Sequence, residues 1–361
     1  MLDLPHVASR VFGTPLMIAR AKLEIILGVL GPRLTGSALE VVGREADPAP
    51  LTSVTPEQIA VVSVVGTLVS RSGYLDAASG LQAYGDIADA IAAAMDDASV
   101  RGVILDIDSP GGEVGGLFDL IEQIQAIKSA GGKPLWAVAS ESALSAAYAI
   151  ASTADRLYVT RTGEVGSIGV VAVHVDESGA DAQAGFAWTF VFAGEHKVDG
   201  NAHEPLSQRA RATIQADIDR LYSEFCGLVA ANRGLTAETV WGTNAAIYRG
   251  ELAIRAGLAD RLGTIDVAVA DMAAELDGTA PARALINLTP KRSHAMATNE
   301  TERIEDQPTE PQEPAAAGPA TADAPPEPAP AASAAAAAEA APEAGTAERL
   351  RTEFAEVAAI A

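Results

Sequence analysis

Through the middle of the chain, short apolar runs rich in β-branched residues alternate with longer stretches of helical periodicity. Residues 59–68, IAVVSVVGTL, are a continuous apolar run, the pattern of a strand buried on both faces. A helix is predicted over 82–96, with Ile87 and Ile91 on one stripe. GVILDID (102–108) and PLWAVAS (134–140) read as two more buried strands, separated by a helix near 116–130. RLYV (156–159), VGSIGVVAVHV (165–175) and WTFVFAG (188–194) continue the strands, with a helix near 176–185. A long helix over 206–233 carries Ile214, Ile218, Leu221, Phe225 and Leu228 at helical spacing, a face suited to core or to an oligomer contact. GLAD (257–260) and a helix near 266–276 close the pattern. The alternation predicts an α/β fold: a parallel sheet with covering helices.

Outside this block the pattern changes twice. LMIARAKLEIILGVLG (16–31) reads as an amphipathic helix over 16–30 that stops at Gly31–Pro32. Arg20, Lys22 and Glu24 interrupt it, and it is shorter than the roughly 20 apolar residues a membrane span needs. The first residues, MLDLPHVASRVF, lack the basic-then-apolar order of a signal peptide. From about 281 the composition shifts to Ala, Pro and Glu. Residues 300–361 hold thirteen acids against three bases and too few apolar side chains to offset ordering, so disorder is expected there. Helical spacing returns at Leu350, Phe354, Val357 and Ala361, which suggests a piece of a longer protein. The sequence thus divides into an arm (1–56), a folded domain (57–280) and an acidic tail (281–361).

Net charge is −23, which argues against nucleic acid as a main partner, because phosphate binding needs clustered Lys and Arg. The one cysteine, Cys226, falls inside the long predicted helix and reads as a small buried hydrophobe. No HExxH, no Cys/His cluster at ligand spacing and no GxxxxGK[ST] loop is present, so no metal and no other cofactor is expected.

Two strand ends carry the candidate chemistry. The strand at 102–108 breaks into SPGG (109–112), where adjacent glycines permit a turn with outward-facing N–H groups. The strand at 134–140 leads into a helix that starts at Ser145, followed by the small residues Ala146 and Ala147. Serines at helix starts are ordinarily caps, as Ser142 would be. A hydroxyl at a helix start facing an exposed-amide turn is also the layout of acyl transfer. Ligands bind at the carboxyl ends of strands in open α/β sheets, where both features lie.

SPGG, ALSAAYAIAS-TADRLYV and GEVGSIGVV (163–171) together resemble the S49 serine peptidases: the signal peptide peptidase A group and its phage relatives. The resemblance spans roughly residues 57–270. It implies the Clp peptidase/crotonase-like fold and a Ser-Lys dyad of Ser145 and Lys197, the latter in FAGEHKVDGNAHEPLS. His174 is the histidine best placed for a Clp-type base, against an ordinary role in the sheet. Ser167, in GSIGV, matches the family position that orients the lysine. The oxyanion hole is expected from N–H groups of Gly111 or Gly112 and of Ala146. A lysine base must be neutral, and a free amine titrates near 10.4, so an amine walled off by apolar groups is expected.

The missing membrane span departs from the cellular signal peptide peptidases, and TPLMIARAKLEIILGVLGPRL resembles the opening of phage S49 proteins. The reading is therefore a head-maturation peptidase inside a phage procapsid in the host cytoplasm. It would cleave scaffold, capsid or portal proteins and itself, with the acidic tail as a fused scaffold region. Met296 would be an internal start for that scaffold. A homo-oligomer packed through helices is implied, with neither nucleic acid nor membrane as partner. Two alternatives stay open: a cellular signal-peptide or quality-control peptidase, and a non-catalytic capsid assembly module.

Overall fold

The computed structural model describes residues 11–34, 50–71 and 80–279. The acidic tail, Met296 and the arm before residue 11 lie outside them.

The chain enters through β1 (Leu16–Ile18) and α1 (Arg20–Leu34). Then come β2 (Thr52–Val54), β3 (Ile59–Val65), β4 (Thr67–Val69), β5 (Leu81–Ala83) and α2 (Tyr84–Asp96). The centre is β6 (Gly102–Ser109), β7 (Gly111–Glu113), α3 (Leu117–Gly131), β8 (Leu135–Leu144) and α4 (Ala146–Ser152). After it run β9 (Arg156–Val159), β10 (Glu164–Gly166), α5 (Ser178–Ala184), α6 (Gln208–Arg233) and α7 (Ala237–Trp241). The last described elements are β11 (Ile247–Arg249), α8 (Glu251–Arg255), β12 (Arg261–Leu262) and α9 (Ile265–Leu276).

The larger sheet runs β11-β10-β8-β6-β3-β2, with β9 and β12 continuing from β8. Its heart is parallel: β3 on β6, β6 on β8, β8 on both β9 and β10. The apolar runs behave as buried parallel strands should, with Ile59, Val62, Val103, Leu105, Ile107, Ala137 and Ala139 all fully buried. On one face α2, α3, α4 and the second half of α6 enclose the main core, including Ile87, Ile91, Ile121, Tyr148, Phe225 and Val229. The other face is covered by α9, where Met272 and Ala268 pack on Trp136 and Tyr158. Cys226 is buried in that main core, as the sequence suggests, and burial pushes its thiol pKa up. The expected α/β, Clp peptidase/crotonase-like architecture is the one observed.

A second, smaller sheet, β1-β7-β4-β5, was not expected. It accounts for one correction. Residues 16–18 are a strand, not the first turn of a helix, because Leu16, Met17 and Ile18 are buried on every side against β7. The helix begins at Arg20 and continues to Leu34, past the expected stop at Gly31–Pro32, which no described contact explains.

Two predicted strands also fail. Residues 165–175 are a strand only to Gly166, after which Gly166 and Ser167 take positive φ angles of 110° and 52° and turn the chain away. Residues 188–194 form no strand, since no described segment pairs with them, and residues 191–197 are all exposed.

Candidate active site

The sheet order brings the sequence motifs together. β8 lies between β6 and β10, and all three run parallel. At their carboxyl ends Ser109 faces Ala143, and Leu144 faces Gly166. Gly111, Ser145 and Ser167 each follow one of these ends and so gather at one rim of the sheet, the usual ligand side.

Ser145 caps α4 by position but not by chemistry. Its side chain makes no capping hydrogen bond. The residue is 1% exposed, and among the described residues its Oγ is the buried side-chain oxygen with no hydrogen-bond partner. A buried hydroxyl without a partner forgoes roughly 1–3 kcal/mol. The backbone at Ser145 sits at φ 55° and ψ −118°, a region costing a non-glycine residue of order 1–3 kcal/mol. That conformation is pinned: the Ser145 N–H donates to the Gly166 carbonyl at 2.8 Å, and its carbonyl accepts from Ala149 N–H at 3.0 Å. Ala146 and Ala147 are fully buried, so the small side chains serve close packing around the turn. The first N–H groups of α4 have no intrahelical acceptor, and Ala146 contributes one of them.

The glycine turn is equally constrained. Gly111 adopts φ 94°. A Cβ there would overlap the Met17 carbonyl and crowd Ser145 Cβ and the Leu144 carbonyl oxygen, each at 2.9 Å. At Gly112 it would overlap the Leu68 backbone. Both positions therefore require glycine. Ser109, fully buried, locks the turn: its Oγ donates to the Gly66 carbonyl at 2.6 Å and accepts from Gly111 N–H at 3.2 Å. Its role escaped the sequence reading, where it was only the first letter of SPGG.

The remaining predicted residues divide. Ser167 is half-buried beside Ser145, its own N–H donating to the Ala246 carbonyl at 2.9 Å. His174 is turned elsewhere, with Nε2 3.0 Å from the Asn201 carbonyl oxygen. Lys197 departs from expectation. It is exposed and its ammonium makes no hydrogen bond or ion pair among the described residues, and the described residues do not supply the apolar walls expected around it.

Lys197 stands on a turn built by its neighbours. Arg209 donates to Glu195 Oε1 at 2.9 Å and to Asp199 Oδ1 at 2.8 Å, and His196 Nδ1 lies 2.8 Å from Asp199 Oδ2. The hydrogen bond from His196, then that from Arg209, holds the Asp199 carboxyl below the usual carboxylate range. Trp188 stacks on His203 at 4.3 Å between ring centroids, and His203 Nδ1 is 2.8 Å from Asp181 Oδ2. Between these braces the apolar chain is left in water: Val191 is 96% exposed, and Phe186, Trp188 and Phe192 are about half exposed.

Residues 127–278 match peptidase family S49, a span that includes Ser145, Ser167 and Lys197. The chain is 35% identical over 320 residues to the head-tail preconnector protein GP5 of Enterobacteria phage P21, covering 84% of this chain and 63% of that protein. It is 36% identical over 294 residues to the capsid assembly protease C of Escherichia phage lambda, covering 76% of this chain and 66% of that one. A putative protease of Methanocaldococcus jannaschii is 32% identical over 169 residues, 46% of this chain and 54% of that protein. The chain thus spans a little under two-thirds of the length of the two phage relatives.

Proposed function

The chain carries a peptidase family S49 domain, and from that premise we propose that it is a serine endopeptidase of phage head maturation. The observation that carries the reading is Ser145: a buried, unpartnered hydroxyl on strained backbone, set beside a turn that only glycine can form. A structural serine would have used that hydroxyl to cap α4. Strain and an unsatisfied group persist together where the surrounding structure overdetermines them for chemistry.

In this reading Lys197 is the general base. It takes the Ser145 proton as Oγ attacks the carbonyl carbon of a peptide bond. The oxyanion is held by the N–H groups of Gly112 and of Ala146, the Gly111 N–H being taken by Ser109 Oγ, and the tetrahedral intermediate collapses as the lysine returns the proton to the leaving amine. Water then hydrolyses the acyl ester by the same route. Ser167 orients the lysine. Because Lys197 is exposed and Ser145 is not, the base reaches the hydroxyl only when its segment closes over the site or when another copy of the chain delivers it. The exposed apolar residues at 186–192 support such a docking, in a homo-oligomer.

The two phage relatives, one a capsid assembly protease and one a head-tail preconnector protein, support scaffold, capsid or portal proteins as substrates and the procapsid as the site of action. No described helix is long and apolar enough to cross a membrane.

The test is a mass-spectrometric cleavage map of co-expressed scaffold and capsid proteins with wild type, Ser145→Ala and Lys197→Ala. New termini with wild type alone are expected. Identical maps from all three would leave the chain as an assembly module without chemistry.

A further inference from the structure

The N-terminal strand lies in an unexpected place. β1 pairs antiparallel with β7, Met17 opposite Gly112 and Ile18 opposite Gly111, so it runs along the glycine turn itself. Ala19 N–H donates to the Pro110 carbonyl at 2.7 Å, continuing the ladder across that turn. On its other edge Leu16 exchanges both backbone hydrogen bonds with Val171, at 2.8 and 2.9 Å. Val171 stands four residues after Ser167. The strand is therefore sandwiched between the two segments that leave the sheet on either side of Ser145.

An enzyme that cleaves a chain must hold it extended, and edge strands do so by adding the substrate as one more strand. Here that slot is full. The Met17 carbonyl and Ser145 Cβ crowd the same point beside Gly111. Ser145 is 1% exposed, so nothing as large as a peptide reaches it while the strand is docked. Yet no carbonyl of the strand accepts from the Ser145 hydroxyl, which has no partner. The occupant fills the slot without presenting a bond for attack.

The slot also shows its chemical preference. Met17 joins the main core with Leu68, Ala143 and Ala147, while Leu16 and Ile18 pack with Val11 and Leu23 in a separate apolar cluster. Side chains on both faces of the strand are thus buried among apolar groups, and a charge at any of the three positions would be stranded. The hold is short, however. β1 has three residues, and upstream Gly13 and Pro15 border a cavity of about 540 Å³ instead of packed core.

We propose that residues 16–19 are a resident occupant of the substrate slot, an inhibitory strand of the chain itself, and that substrates are extended, uncharged apolar segments that displace it. This rests on the peptidase reading above. It makes the free chain a latent enzyme, with cleavage beginning when a competing strand is at high local concentration.

The test locks the strand in place. Leu16 and Val171 form a hydrogen-bonded antiparallel pair, for which Cα atoms stand about 5.5 Å apart, inside the range a disulfide spans. In the full chain carrying Leu16→Cys and Val171→Cys, Ser145 is labelled with a tripeptidyl phosphonate bearing apolar side chains, before and after reduction. Labelling at least about tenfold slower in the oxidised form, restored by reductant, is expected. Leu16→Asp, which puts a charge into the apolar cluster, should accelerate labelling by a similar factor, and it decides alone if the disulfide does not close. Equal rates in oxidised and reduced forms, or an Asp variant no faster than wild type, would show β1 to be a permanent wall and overturn the proposal. Those results leave the peptidase reading intact, whereas no labelling of Ser145 in any form removes that reading and this one with it.

Discussion

The surroundings of Ser145 and of Lys197 are built on opposite principles. Around the serine the flanking residues Leu144 and Ala146 are buried, the backbone is strained, and its hydrogen bonds run to the end of β10 at Gly166 and into its own helix at Ala149. Around the lysine the chain is exposed, irregular and braced by ion pairs, with valine and aromatic side chains in water. Among the described residues, one half of the proposed dyad is finished and the other is not. A nucleophile that must be rigid can be made from local packing, whereas a base that must lose its water has to be covered by something that arrives later.

The contrast predicts unequal mutational signatures. Ser145→Ala should lower kcat by about 10⁴-fold or more. Ser145→Gly should do the same while raising stability by roughly 1 kcal/mol, because it relieves the positive φ. A Gly variant no more stable than wild type would contradict the strain assigned here. Gly112→Ala should cost both ways: about 10²- to 10³-fold in rate through displaced oxyanion donors, and at least about 2 kcal/mol in thermal unfolding, from its overlap with the Leu68 backbone. Lys197→Ala should split the two readouts. Activity falls by about 10²- to 10⁴-fold, while the unfolding free energy moves by less than about 0.5 kcal/mol because the side chain is exposed. In the wild type the rate should rise towards alkaline pH, since only the neutral amine serves as base; a profile flat from pH 7 to 9 would argue for another base.

The smallest expected effect concerns the turn beneath the lysine. Asp199 has a carboxyl pKa held below its ordinary value by its hydrogen bonds, His196 first. Its support is therefore complete above the unfolded value of about 3.9 and is lost as pH falls through the lower folded one. Amide protection at residues 195–200, taken relative to the intrinsic exchange rate at each pH, should fall below about pH 4 and stay constant above it. Protection already lost well above that range would contradict the role given to Asp199.

What the sequence disclosed follows the same divide. The apolar runs at 59–68, 102–108 and 134–140 and the serine helix were legible because a run of apolar residues carries its own burial signal, although the first run breaks at Gly66 into β3 and β4, which belong to different sheets. SPGG and Ser145 could be paired because both end parallel strands. The strand at 16–18 was not legible, since LMI followed by helical spacing reads as a helix start, and its partner lies some 95 positions on. WTFVFAG has every local property of a strand and no described partner, which period and propensity do not report. Ser109 looks like turn chemistry until its hydroxyl is seen bridging Gly66 and Gly111. Lys197 came from resemblance to a family, and its exposure is the feature that the residues around it gave no means to foresee.

The central claim is that Ser145 is the nucleophile and that Lys197 makes it one. The most direct measurement is peptide mapping of the full-length chain after treatment with a serine-reactive phosphonate, for wild type and Lys197→Ala. The account predicts a single adduct, on the peptide containing Ser145, at a rate that rises with pH and collapses in the Lys197 variant. An adduct on another serine, or labelling of Ser145 indifferent to the loss of Lys197, would contradict it.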